Sequence, residues 1–218
     1  MYQNQKYIFL QALIITFVVF NIGIFMGYKL EEYRIDKIDN WYFESDLQLL
    51  DQRIQKDAFE FLDLDCELMI QENINFADKI FEQALEIDRF EKANRINEDI
   101  ILQHKRYDLL RTLFWINSMK IKEKCNSDYH NLVYFYQYND ASIEQKAKQR
   151  VFSNLLSQLK DSYGSEIMLI PIAADNNIAS INLLLKKYEI NDLPVILIDE
   201  KIKVSEFETL EDIKQYLN

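Results

Sequence analysis

The spacing of hydrophobic positions changes along this chain, and each change marks a different kind of element. From Tyr7 to Tyr28 the residues are almost all apolar, with no Asp, Glu, Lys or Arg. A helix over this run is about 33 Å long, close to the thickness of a bilayer's hydrocarbon core. The run is longer than the apolar stretch of a signal peptide and no A-x-A-like cleavage site follows it, so it reads as an uncleaved anchor. Tyr7 and Tyr28 stand where interfacial aromatics are expected, and Lys6 and Lys29 close the two ends.

Beyond the anchor the period becomes helical. No Gly or Pro occurs between Lys29 and Tyr163, which removes the strongest breakers and favours long helices. Leu47, Leu50, Ile54, Ala58, Phe61, Leu64 and Leu68 step by three or four and define one face of a helix from about Glu44 to Gln71. Asn73 and Asn75 are candidate caps for a second helix, about Asn75 to Lys92, along Ala77, Ile80, Phe81, Ala84, Leu85 and Ile87. Asn94 and Asn97, with Glu98 and Asp99 after them, mark a further stop and start, and a third helix runs to about Lys124. Short connections imply antiparallel neighbours.

After Cys125 the pattern alternates between short apolar runs and helical spacing. Leu132–Tyr138, Glu166–Ala173, Val195–Asp199 and Lys201–Ser205 read as strands. Ser142–Tyr163, stopped by Gly164, Asn177–Tyr188 and Thr209–Leu217 read as helices. The order β-α-β-α-β-β-α predicts a mixed four-stranded sheet covered by helices. The expected organisation is therefore a tail and anchor over residues 1–29, a helical segment over 30–128 and an α/β domain over 129–218.

Charge narrows the choice of partners. The chain has 25 Lys and Arg against 36 Asp and Glu, a net charge of −11. That excess of acid excludes a basic face for nucleic acid and disfavours lying flat on anionic lipid; the lipid contact expected is that of the Tyr7–Tyr28 helix itself. Orientation sets two signals against each other. Lys29, Arg34 and Lys37 outnumber Lys6 and would hold the larger part inside. Four acids, Glu31, Glu32, Asp36 and Asp39, dilute them, and a short, acid-free tail is easily retained. The expectation is an extracytoplasmic soluble part. Gly23 and Gly27 form a G-x-x-x-G pair that permits close approach of a second copy, although small residues are common in such helices.

The two cysteines, Cys66 and Cys125, test the helix count. Three separate helices place them at one pole, where a disulfide is possible, whereas one unbroken helix over the second and third segments would leave them about 70 Å apart. An exported chain with two cysteines usually pairs them. His104 and His130, the chain's two histidines, lack the spacing of metal ligands, so exposed or capping roles are expected. Asp63, Asp65 and Glu67 read as a solvated helix face, and no P-loop, G-x-G-x-x-G or G-x-S-x-G motif occurs.

The stretch Tyr188-Glu189-Ile190-Asn191-Asp192-Leu193-Pro194-Val195-Ile196-Leu197-Ile198, set in this element order, resembles the thioredoxin-like fold. The resemblance covers about 132–218 and implies a cis bond at Leu193-Pro194. Family oxidoreductases carry Cys-x-x-Cys between the first strand and helix; here Gln137 to Lys146 contain no cysteine. Thiol exchange is therefore not expected of the domain, nor is any cofactor, and Ser142 is expected to be an N-cap. What the resemblance leaves is a peptide-binding surface of Tyr136, Tyr138, Asn139, Asp140, Leu193 and Pro194. The alternatives are a thiol protein using Cys66 or Cys125, and a structural dimer built on the long helices with Gly23 and Gly27.

Overall fold

The computed structural model describes residues 2–93, 98–206 and 209–217. It is mostly helical, with one four-stranded mixed sheet. By its internal contacts the chain divides into two compact units, residues 1–43 and 44–218.

The described residues of the first unit are all helical and belong to α1 (Tyr2–Phe61). The run beginning at Tyr7 is long and apolar enough to cross a membrane, with a mean hydropathy of 2.4. Two of its polar side chains turn back on their own helix: Thr16 Oγ1 donates to the Ala12 carbonyl at 2.9 Å and Asn21 Nδ2 to that of Phe17 at 2.7 Å. A helix that satisfies its own polar groups suits an apolar solvent.

In the second unit α1 ends at Phe61, and α2 (Cys66–Ala93) and α3 (Glu98–Cys125) follow. Four expectations are corrected here. The helix expected to begin near Glu44 is not a separate element, because no breaker interrupts α1. The first break comes at residues 62–65, not near Asn73. Asp63 and Asp65 thus lie at a helix break and not on a helix face, and the acids flanking Cys66 suit the start of α2. Asn73 and Asn75 are not caps. Asn73 lies buried within α2 and donates to Ser118 Oγ at 3.1 Å and Tyr129 Oη at 3.2 Å, so its side chain is satisfied without ending the helix. The expected caps Asn94 and Asn97 lie outside the described residues.

Then come β1 (His130–Tyr136), α4 (Ile143–Tyr163), β2 (Ile167–Ala173), α5 (Ala179–Lys187), β3 (Val195–Ile198), β4 (Ile202–Val204) and α6 (Glu211–Lys214). Ser142 caps α4, its hydroxyl accepting from Gln145 N–H at 3.1 Å, and Gly164 ends it at φ 52°. The sheet order is β2-β1-β3-β4; β1 runs parallel to β2 and antiparallel to β3, which is antiparallel to β4.

Successive residues of β1 serve opposite cores, as the strand period requires. Val133 and Phe135 join Phe76 and Ile80 of α2, Phe114 and Trp115 of α3, and Ile181 of α5. Leu132 and Tyr134 join Phe152, Leu156 and Leu159 of α4 and Ile213 of α6. The helical segment is therefore one wall of the sheet's own core.

Candidate functional site

The ends of β1 and β2 meet two loops and the middle of α3. Asp175, after β2, accepts two successive backbone donors of the β1–α4 loop: Tyr138 N–H at 2.8 Å and Asn139 N–H at 2.7 Å. Asn139 Nδ2 donates to Asn176 Oδ1 at 3.0 Å, and Asn176 Nδ2 in turn donates to Asp108 Oδ2 at 2.7 Å. Asp108 is fully buried on α3, where it also accepts from Ala173 N–H at 3.2 Å and lies 3.5 Å from Arg111 Nη1. Burial pushes the Asp108 carboxyl above its ordinary value, against the pull of His104, Arg111 and its two donors. His104 Nε2 and Tyr136 Oη share a hydrogen bond of 2.6 Å, and the His104 ring stacks on Tyr138 with centroids 3.8 Å apart.

The six predicted surface residues thus fall into two settings. Tyr136, Tyr138 and Asn139 are tied to α3 and to the loop after β2, and Asp140 is exposed at φ 47°. Leu193 and Pro194 lie beside the start of α4, joined by a cis peptide bond. Gln145 Nε2 donates to the Leu193 carbonyl at 2.6 Å. A backbone acceptor offered to an incoming strand is therefore already engaged by this chain's own side chain.

His104 departs from the exposed or capping role expected of it. It is 6% exposed and sits on the buried face of α3. His104, Asp108 and Arg111 step by four and three, the helical period of the apolar Tyr107, Leu110 and Phe114 beside them. Polar residues in phase with a core stripe are the signal that could have found this cluster. His130 opens β1 and its Nδ1 lies 2.6 Å from Asp199 Oδ2. Among the described residues no group of three His, Cys, Asp or Glu side chains gathers as a metal site.

Cys66 and Cys125 form a disulfide, with Cα atoms 5.5 Å apart across 59 residues. It joins the first residue of α2 to the last of α3, and both cysteines of the chain are used. A cleft of about 370 Å³ lies toward this pole, lined by Lys56, Phe59, Glu60, Asn117, Lys120 and Lys124 among others. Its cations are engaged: Lys120 pairs with Glu60, Lys56 with Asp57 and Glu60, and Lys124 Nζ donates to the Phe59 carbonyl. Comparison of the chain with protein-family models and with curated proteins finds no match.

Proposed function

We propose that this protein is a single-pass membrane protein that carries a thioredoxin-like domain incapable of thiol exchange and acts by binding protein or peptide. The observation that carries the reading is the use of both cysteines in the Cys66–Cys125 bridge, while the loop from β1 to α4 contains none. A dithiol mechanism needs an adjacent, accessible pair, and this chain has no second pair to supply one. The same bridge favours an oxidising compartment and hence an extracytoplasmic soluble part. The sheet order β2-β1-β3-β4 and the cis Leu193-Pro194 bond support the thioredoxin-like reading. The binding surface is Tyr136, Tyr138, Asn139, Asp140, Leu193 and Pro194, and an extended peptide would take the Leu193 carbonyl from Gln145.

The test is alkylation of intact cells with a membrane-impermeant maleimide, with and without prior reduction, read as a mass shift on this chain. Labelling only after reduction is the expected result. Labelling that needs lysis but no reduction would place free thiols inside and overturn both the bridge and the orientation.

A further inference from the structure

The segment of α1 within the second unit is amphipathic in the inverse sense. Its most buried residues are polar: Ser45, Gln48 and Gln52 are at most 5% exposed, Asn117 of α3 donates to Gln52 Oε1 at 3.2 Å, and Leu49 beside them is half-buried against the core. Its outward face carries an apolar stripe flanked by the exposed charges Asp46, Asp51, Arg53 and Glu60. Leu47, Leu50, Ile54 and Phe61 are between 51% and 83% exposed. They occupy positions 47, 50, 54 and 61 of a three-four-three-four series, the spacing of a seam between two helices. The missing position is Asp57, whose charge is met by Lys56 at 3.3 Å in the same helix.

We infer that this stripe is the seam of a parallel homodimer, its occupant the same stripe of a second copy. A heptad seam is complementary to itself, so a second copy meets each apolar residue with its equivalent. Four such side chains leave on the order of 500 Å² of apolar surface per copy, so a pair buries on the order of 1,000 Å², the lower bound of a specific interface. An interface at that bound is stabilised when its partners are held together. The inference here rests on the proposed anchor: copies tethered in one bilayer share a side and a chain direction, and their effective concentration is raised without further contacts.

The experiment places a benzophenone amino acid at Leu50 of the full chain, co-expresses two differently tagged copies, and irradiates membranes. A covalent adduct at twice the chain's mass carrying both tags is expected. An adduct with another protein or with lipid, or no adduct, overturns the seam. Leu50→Glu combined with Ile54→Glu should lower the adduct formed from a probe at Leu47 by roughly tenfold or more, and Gly23→Ile with Gly27→Ile should leave it. Loss on the glycine replacements alone would overturn the seam and place association in the apolar helix. Recovery of the chain in the soluble fraction would refute the anchor separately; a two-tag adduct there still supports the seam, and its absence overturns it.

Discussion

Asp199 and Glu200 are adjacent in the turn from β3 to β4, at φ 47° and 59°, and their carboxyls are driven in opposite directions. Burial works to raise Asp199, but Lys122 Nζ at 2.7 Å, His130 at 2.6 Å and Asn131 N–H at 2.9 Å outweigh it and hold the carboxyl below its ordinary value. For Glu200 burial prevails over the Trp115 Nε1–H donor at 2.6 Å, and the charge of Asp199 adds to it, so the value is raised. A depressed carboxyl contributes stability above its unfolded value and loses it as pH falls through the folded one. A raised carboxyl contributes below its unfolded value and loses that as pH rises through the folded one. Asp199→Asn should therefore cost about 2 kcal/mol near neutral pH and flatten the acid limb of stability. Glu200→Gln should flatten the opposite limb, above the ordinary glutamate range; urea midpoints across pH measure both. Lys160 is a further case. It is 6% exposed, and its Nζ donates to the carbonyls of Gly164 and Ile167 at 2.8 and 2.9 Å and pairs with Asp78 at 2.9 Å. Lys160→Met keeps the stem but leaves those carbonyls short of a donor, for an expected loss of about 2–4 kcal/mol in chemical denaturation.

At the scale of elements, the disulfide closes the hairpin of α2 and α3 at its open end. Constraining a loop of 59 residues in the unfolded chain is worth about 4 kcal/mol in the chain-entropy account. Cys66→Ser with Cys125→Ser should lower stability by up to that amount and leave the far-ultraviolet spectrum in place, because Phe76, Ile80, Phe114 and Trp115 still bury the hairpin against the sheet. An unchanged denaturation midpoint would show that the hairpin needs no staple. The strands and α4 were legible in the sequence because short apolar runs and a Ser142 to Gly164 frame have few alternative readings. The break at residues 62–65 was not, since Leu64 and Leu68 continue the helical period across it. Nor was the direction of α1's faces: periodicity says which residues share a face, and only the packing of Gln52 on Asn117 says that the face of Ser45, Gln48 and Gln52 is the inner one. The site was half legible for a related reason. Tyr136, Tyr138 and Asn139 belong to a recognisable strand end, whereas His104, Asp108 and Asp175 reach it from elements distant in sequence.

At the scale of the whole molecule, composition divides sharply. The run from Tyr7 to Tyr28 holds no charged residue, while the remainder carries every acid of the chain. Such a division places a large transfer free energy in one short stretch. At the centre of a spanning helix an Arg or Asp costs about 3 kcal/mol, so Val18→Arg with Val19→Asp removes about 6 kcal/mol of insertion free energy plus the contribution of two valines. If this run is what holds the protein in a membrane, the double variant should leave the alkali-resistant pellet and appear as soluble or degraded chain. A matched change on the sheet domain, Leu183→Arg at a position already 68% exposed on α5, should leave the pellet unchanged. Equal pelleting of both variants would mean that another part of the chain, such as the exposed Leu47, Leu50 and Ile54 stripe, makes the membrane contact. That outcome would carry the stripe out of protein association and into lipid binding. The two experiments therefore constrain each other: an anchor confined to the run from Tyr7 to Tyr28 leaves the stripe free to meet a second copy, and an anchor that survives two buried charges does not.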